Sequence, residues 1–318
     1  MLAGMNASLA RLRPEDLAPG DQRCADFDWS ELTLEVIDGP DHAGFDEAYA
    51  RLHREFGEKG ELETRAVLEG RLRRDPALAV AGGLHLAYEI LLVRRDGRLV
   101  AVRDHSVVVA AQGATSAAAE RAERSPGPDG TDASPDAVDS PAPLHGDDAL
   151  VVVHLSHVLV EPELRRTGLA GWLRALPVGF ARRCAQAAGS LAENIVLVAE
   201  MEPFDPTDEA SLSRLGAYER AGFRKLDPAA LAYCQPDFRP QDLVRATGPR
   251  PVRLDLVLRR IGRETETTLP ATEAARTIGA LYGMYAADLE REHIEALAAE
   301  AEERCSRGIA FDLIAPTS

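Results

Sequence analysis

The feature that most constrains this chain is a twelve-residue apolar run, ALVVVHLSHVLV at 149–160, that passes through a short polar loop into an amphipathic segment. A β-branched run of that length predicts a strand buried on both faces. Beyond the loop, Leu169, Trp172, Leu173, Leu176, Phe180 and Cys184 recur at helical spacing, which predicts a helix over 168–187. Pro177 inside it predicts a kink or a break. Between strand and helix stands Arg165-Arg166-Thr167-Gly168-Leu169-Ala170. A helix start exposes unpaired N–H groups and the positive end of the helix dipole. Gly168 lets an anion approach the backbone without a Cβ in the way, Ala170 keeps the next turn small, and the two arginines add charge. Strand, loop and helix together predict a phosphate seat.

The rest of the chain arranges itself around that unit. Residues 32–37 alternate and stop at Asp38-Gly39-Pro40, as a first strand would. Residues 43–75 carry apolar positions at helical spacing and predict two helices, divided near Gly57 and Gly60. Apolar runs at 84–93 and 99–110 flank Asp96-Gly97, a hairpin signal. Residues 112–147 are rich in Ala, Pro, Ser, Gly and Asp, with no large apolar residue between Gln112 and Val138. That composition predicts a disordered insertion. A short strand at 195–199, a helix at 212–221 closed by Gly222 and a strand at 252–258 follow. Residues 270–304 look helical throughout, with an apolar stripe of Leu281, Met284, Tyr285, Leu289 and Ile294 that serves packing on the main domain or a dimer contact. The implied organisation is an N-terminal segment at 1–30, a main domain at 31–262 and a C-terminal helical extension at 263–318.

Net charge narrows the partners. At -16 the chain lacks the basic face that nucleic acid requires. Cys24, Cys184, Cys234 and Cys305 are widely spaced and form no CxxC pair, which suits reduced thiols in a cytoplasm better than disulfides or zinc. No stretch has the roughly 20 apolar residues of a membrane span, so no membrane association is expected.

The segment VLVEPELRRTGLAGWL resembles the acyl-CoA-binding motif of the GCN5-related N-acetyltransferase superfamily, Arg/Gln-x-x-Gly-x-Gly/Ala after a β-strand. About fifty residues on, Ala217-Tyr218-Glu219-Arg220-Ala221-Gly222-Phe223 resembles the second signature of that family, a helix ending in Tyr-x-x-x-Gly-Phe. The order of elements is similar from about Leu32 to Ile261. The resemblance implies an α/β (α+β) fold, with a central twisted, mostly antiparallel sheet flanked by helices. It implies acetyl-CoA as co-substrate and a small-molecule or protein amine as acceptor. The strand before the loop would splay from its parallel neighbour, so that Val158, Leu159 and Val160 pair with pantetheine. Amides and side chains from Arg165, Arg166, Thr167, Gly168, Leu169, Ala170 and Gly171 would hold the pyrophosphate. No Asn stands near Ala210 or Ser211, where many members have one.

Acyl transfer to an amine needs two proton movements. A lysine-type amine, with a pKa near 10.4, must lose a proton to a base or to a water relay. The departing thiolate must gain one. Tyr218 matches the position of the family's acid; its other reading is a core aromatic beside Leu212 and Leu215. His154 and Glu200 are the candidate bases, each also readable as an ordinary hydrogen-bonded strand residue. No metal is expected, because His154 and His157 are three apart and would point to opposite faces of a regular strand. A non-catalytic acyl-CoA sensor or an interaction module of the same fold is the alternative function.

Overall fold

The computed structural model describes residues 16–21, 27–80, 82–111, 149–191 and 193–318. The insertion expected at 112–147 lies outside them, as does most of the 1–30 segment. The described strands form one ten-stranded sheet in the order β1-β2-β3-β4-β5-β8-β6-β10-β9, with β7 beside β8. They are β1 (Leu32–Ile37), β2 (Leu84–Arg95), β3 (Arg98–Ala110), β4 (Leu150–Val160), β5 (Ile195–Met201), β6 (Arg224–Leu226), β7 (Tyr233–Gln235), β8 (Val252–Arg260), β9 (Thr268–Pro270) and β10 (Ala310–Ile314). All pairings are antiparallel except β4 with β5. The architecture is the mixed α/β, mostly antiparallel sheet that the sequence implied.

Strand alternation creates two apolar faces. Leu86, Val108 and Val152 face one side, with α6 (Ala271–Ala286) and α7 (Arg291–Ser306). On the same side Tyr88, Ile90 and Val102 meet α1 (Phe45–Glu55) and α2 (Arg65–Leu72). Val107, Val151 and Val153 face the other side, with α3 (Leu169–Ala187) and α4 (Glu209–Arg220). A short α5 (Gln241–Thr247) lies before β8. The β2–β3 hairpin turns through Asp96 (φ 50°) and Gly97 (φ 78°), two consecutive left-handed residues whose twist matches that of the flanking strands.

Three expectations are corrected. Pro177 neither breaks nor divides its helix, which runs unbroken from Leu169 to Ala187. The stretch 270–304 is two helices, separated where Ala287 ends the first and Glu290 begins the second. The end of the chain is a strand: β10 pairs with β6 through Leu313 and Leu226, and β9 pairs with β10. These strands are too short to show a period-2 pattern, and their stability comes from a neighbour distant in sequence. Of the N-terminal segment, Asp16 and Asp21 bond to Arg182 and Arg174 of α3. No described helix is long and apolar enough to cross a membrane.

Candidate functional site

β4 and β5 run side by side only from Val151↔Ile195 to His154↔Val198. β4 then continues to Val160 with no partner on that edge among the described residues, while its other edge stays paired to β3. At the fork β4 carries an extra residue: Ser106 faces His154 and Asp104 faces His157, so Leu155 and Ser156 together oppose His105. A bulge of this kind bends the strand and increases its twist, and here it directs β4 away from β5. Val158, Leu159 and Val160, half-buried, line the open edge.

That edge leads into the loop before α3. A short helical turn at Pro162–Leu164 ends in extended Arg165, and then Arg166 (φ 64°) and Gly168 (φ 110°) both turn left-handed. A non-glycine residue in that region is uncommon and mildly strained. Thr167 Oγ1 donates to the Leu164 carbonyl at 2.8 Å and Arg165 Nε to the Val160 carbonyl at 3.0 Å, tying the loop to the strand end. Arg165, Arg166 and Thr167 are exposed, Gly168 and Ala170 half-buried, Leu169 and Gly171 buried. The loop therefore sets a helix start beside the exposed Arg165 and Arg166 at the mouth of the fork, a combination suited to a pyrophosphate.

At the inner end of the fork, on the face of α6, lies a network that the sequence left unconnected. His154 Nε2 is 3.2 Å from Glu200 Oε2, and His154 Nδ1 is 3.1 Å from Ser156 Oγ. Glu200 also accepts from Gln235 Nε2 at 2.6 Å, from the Tyr285 hydroxyl at 2.8 Å and from the Tyr233 hydroxyl. Burial opposes its ionisation, but His154 and these donors outweigh that and hold the carboxyl below its usual range. Burial and the Glu200 charge push the Tyr233 and Tyr285 phenols well above theirs, which keeps both as donors. Three of the four donors, His154, Gln235 and Tyr285, meet at Oε2 and the fourth, Tyr233, at Oε1, so the carboxylate is held from several sides. An ionised Glu200 assigns the proton to His154 Nε2, so Nδ1 accepts from Ser156. Glu200 and His154 are thereby held in a fixed relation at the fork.

The bulge also corrects the expectation about the histidines. The extra residue puts His154 and His157 on the same face, although each has its own carboxylate. His157 Nδ1 lies 3.0 Å from Asp104 Oδ1, its amide donates to the same oxygen at 2.8 Å, and Tyr88 donates to Asp104 Oδ2 at 2.9 Å. Burial opposes a charged His157, but Asp104 prevails and raises it to about 9; burial likewise opposes a charged Asp104, which His157 nonetheless brings down to about 2. Among the described residues no three His, Cys, Asp or Glu side chains gather where they could hold a metal ion.

Tyr218 lies on the opposite face of the sheet, with α3. Its helix ends in a Schellman motif: Phe223 N–H donates to Tyr218 O at 3.0 Å and Gly222 N–H to Glu219 O at 3.0 Å, with Gly222 left-handed at φ 76°. The Phe223 ring meets the Tyr218 ring edge-on, 4.9 Å between centroids. Tyr-x-x-x-Gly-Phe is thus a helix stop that fixes the tyrosine from both its backbone and its ring. Asp208 caps the start of the same helix through Ala210 N and Ser211 N. Tyr218 is buried and the Arg174 guanidinium carbon lies 5.7 Å from its ring centroid. Sequence reasoning missed Ser156, Tyr233, Gln235 and Tyr285. Only Ser156 carried a signal, its spacing of two from His154 on a strand.

No family model and no curated protein matches the chain. Among solved structures it resembles an acetyltransferase assigned to the GNAT family from Desulfovibrio desulfuricans, at 14% identity and a TM-score of 0.33, over 72% of this chain and 99% of that one. It also resembles the ribosomal-protein-S18-alanine N-acetyltransferase of Escherichia coli, at 11% identity and a TM-score of 0.31, over 72% and 94% of the two chains. A third is an agmatine N-acetyltransferase mutant, at 12% identity and a TM-score of 0.31, over 72% and 99%.

Proposed function

We propose that the chain is a coenzyme A-dependent N-acyltransferase of the GCN5-related type, moving an acetyl group from acetyl-CoA to a small-molecule or protein amine. The observation that carries this reading is the fork: a bulged β4 leaves β5 at His154, and its open edge runs directly into an arginine-bearing helix start. A pantetheine arm lying along Val158, Leu159 and Val160 would complete the sheet with backbone hydrogen bonds. Its pyrophosphate would rest on the amides near Gly168, with Arg165 and Arg166 beside it. Its thioester would reach the bulge, between His154 on one face of the sheet and Tyr218 on the other.

In this reading the amine attacks the thioester carbonyl directly. His154, held by Glu200, accepts the amine proton through the Ser156 hydroxyl or a water, and Tyr218 protonates the departing CoA sulfur. The free cysteines fit a reducing compartment such as the cytoplasm, and the protein acts alone or as a homodimer.

The sequence alone suggests Gly168→Glu as the test, but at φ 110° any side chain would add backbone strain to the charge effect. Ala170→Glu separates the two. A carboxylate in the first turn of a helix favours the fold yet repels a pyrophosphate. Calorimetric titration with CoA should show affinity falling about tenfold or more, since each 1.4 kcal/mol is a factor of ten. Unchanged affinity would place the cofactor elsewhere. Acetyl-CoA with a panel of amines should release free thiol; tight binding with no release on any amine would favour a sensor.

A further inference from the structure

Arg103 lies on β3, on the α3 face of the sheet, with Leu91 of β2 and Val158 of β4 as its strand neighbours. It has no exposed surface. Among the described residues its Nε, Nη1 and Nη2 all lack a hydrogen-bond partner. The other buried arginines among the described residues are paired: Arg71 with Glu63 and Asp288, Arg174 with Asp21, Arg259 with Glu264 and Arg260 with Glu266. A buried ion left without a partner costs several kcal/mol, so Arg103 is an expense the fold does not offset. The group that most favours its charge is the Tyr218 hydroxyl, ahead of Asp104, and the contact stops short of a hydrogen bond of ordinary geometry.

The other charges near this face are already committed. Arg174 of α3 is held by Asp21 at 2.7 Å, and Arg182 is bound to Asp16. Glu89 of β2 lies 3.2 Å from His105 of β3 and 3.5 Å from Arg183 of α3. Among the described residues, the group that most favours the Arg103 charge, and that can itself become negative without a new group entering, is the Tyr218 hydroxyl.

We propose that Arg103 is a positioning residue for the Tyr218 acid, and that its unpartnered guanidinium receives the negative charge left on the phenol oxygen after proton transfer. The proposal rests on the reading of Tyr218 as the acid. When the tetrahedral adduct collapses, the C–S bond breaks and its electron pair goes to sulfur. The phenol proton moves to that sulfur, giving CoA thiol and a Tyr218 phenolate beside Arg103. His154 meanwhile holds the proton taken from the amine. Its release to solvent and the reprotonation of Tyr218 balance the cycle. A cation pre-placed and dry at the point where charge develops needs no reorganisation during reaction.

The test is a near-ultraviolet phenolate titration of Arg103→Met, with the Tyr218→Phe protein subtracted to isolate Tyr218. Burial pushes the Tyr88, Tyr233 and Tyr285 phenols well above the ordinary range and keeps them out of the signal. The Tyr218 phenolate should form at a pH higher by about one unit or more, and Arg103→Lys should restore part of the shift. In steady state with acetyl-CoA, kcat should fall about tenfold while KM for acetyl-CoA holds, since one unit corresponds to 1.36 kcal/mol. An unmoved titration in a folded Arg103→Met protein overturns the proposal. If Tyr218→Phe itself keeps full turnover, the acid assignment fails instead, and the titration still decides whether Arg103 and Tyr218 are coupled.

Discussion

The two faces of the sheet at the fork treat charge in opposite ways. On the α6 face each histidine has a carboxylate, His154 with Glu200 and His157 with Asp104, and phenols from Tyr88, Tyr233 and Tyr285 complete both carboxylates. On the α3 face Arg103 has no hydrogen-bond partner among the described residues. Pairs of the first kind hold geometry, because removing either member strands the other in a low dielectric. An unpaired charge of the second kind costs stability and becomes useful only when a partner charge forms. In the proposed reaction the base side is therefore built for orientation and the acid side for a transient.

Three outcomes would break or sharpen that comparison. The largest is expected for His154→Ala, which removes the proposed base. CoA release from acetyl-CoA and amine should fall about a hundredfold or more, the ordinary yield of a positioned base, with CoA binding retained. An unchanged rate would reduce the His154–Glu200 pair to a structural one. Next is Asp104→Asn, which strands a buried His157 and should lower unfolding free energy by about 3 kcal/mol in denaturant titrations.

The same variant carries a pH signature. His157 is raised from 6.5 to about 9, so its contribution is complete below about pH 6.5 and is lost as pH rises through 9. Asp104 is lowered from 3.8 to about 2, so its contribution is present above about pH 3.8 and is lost as pH falls toward 2. The melting temperature should decline on both sides of that window, and Asp104→Asn should flatten both limbs. The smallest effect concerns Cys184, on the α3 face, where burial pushes the thiol up to about 12. Its alkylation, followed by intact mass, should be far slower than in the denatured chain. Rapid labelling would mean that the α3 face around Cys184 opens to water.

Much of the fold was legible because its signals are local. The hairpin at Asp96-Gly97 needs two left-handed residues and has them. The strand, loop and helix from Leu150 to Ala187 show their periods directly. The short strands β6, β7, β9 and β10 were not legible, since three to five residues carry no period, and the tail read as a single helix for want of a Gly or Pro at its break. The opposite-face argument for His154 and His157 failed for a similar reason. A bulge is one extra residue in register against a partner strand, and no single strand's sequence displays its partner.

By itself the sequence predicted a phosphate seat and determined the order of elements around it, because helix starts, turns and strand alternation depend on residues within a few positions of one another. It also determined that Tyr218 ends a helix, through Gly222 and Phe223. Only the tertiary structure set Glu200 against His154 within a ring of donors, since Tyr233, Gln235 and Tyr285 reach Glu200 from 33 to 85 residues away. It alone decided that Arg103 is buried with no hydrogen-bond partner among the described residues. Pairing depends on which side chains packing brings together in a dry interior, and distance along the chain carries no record of that.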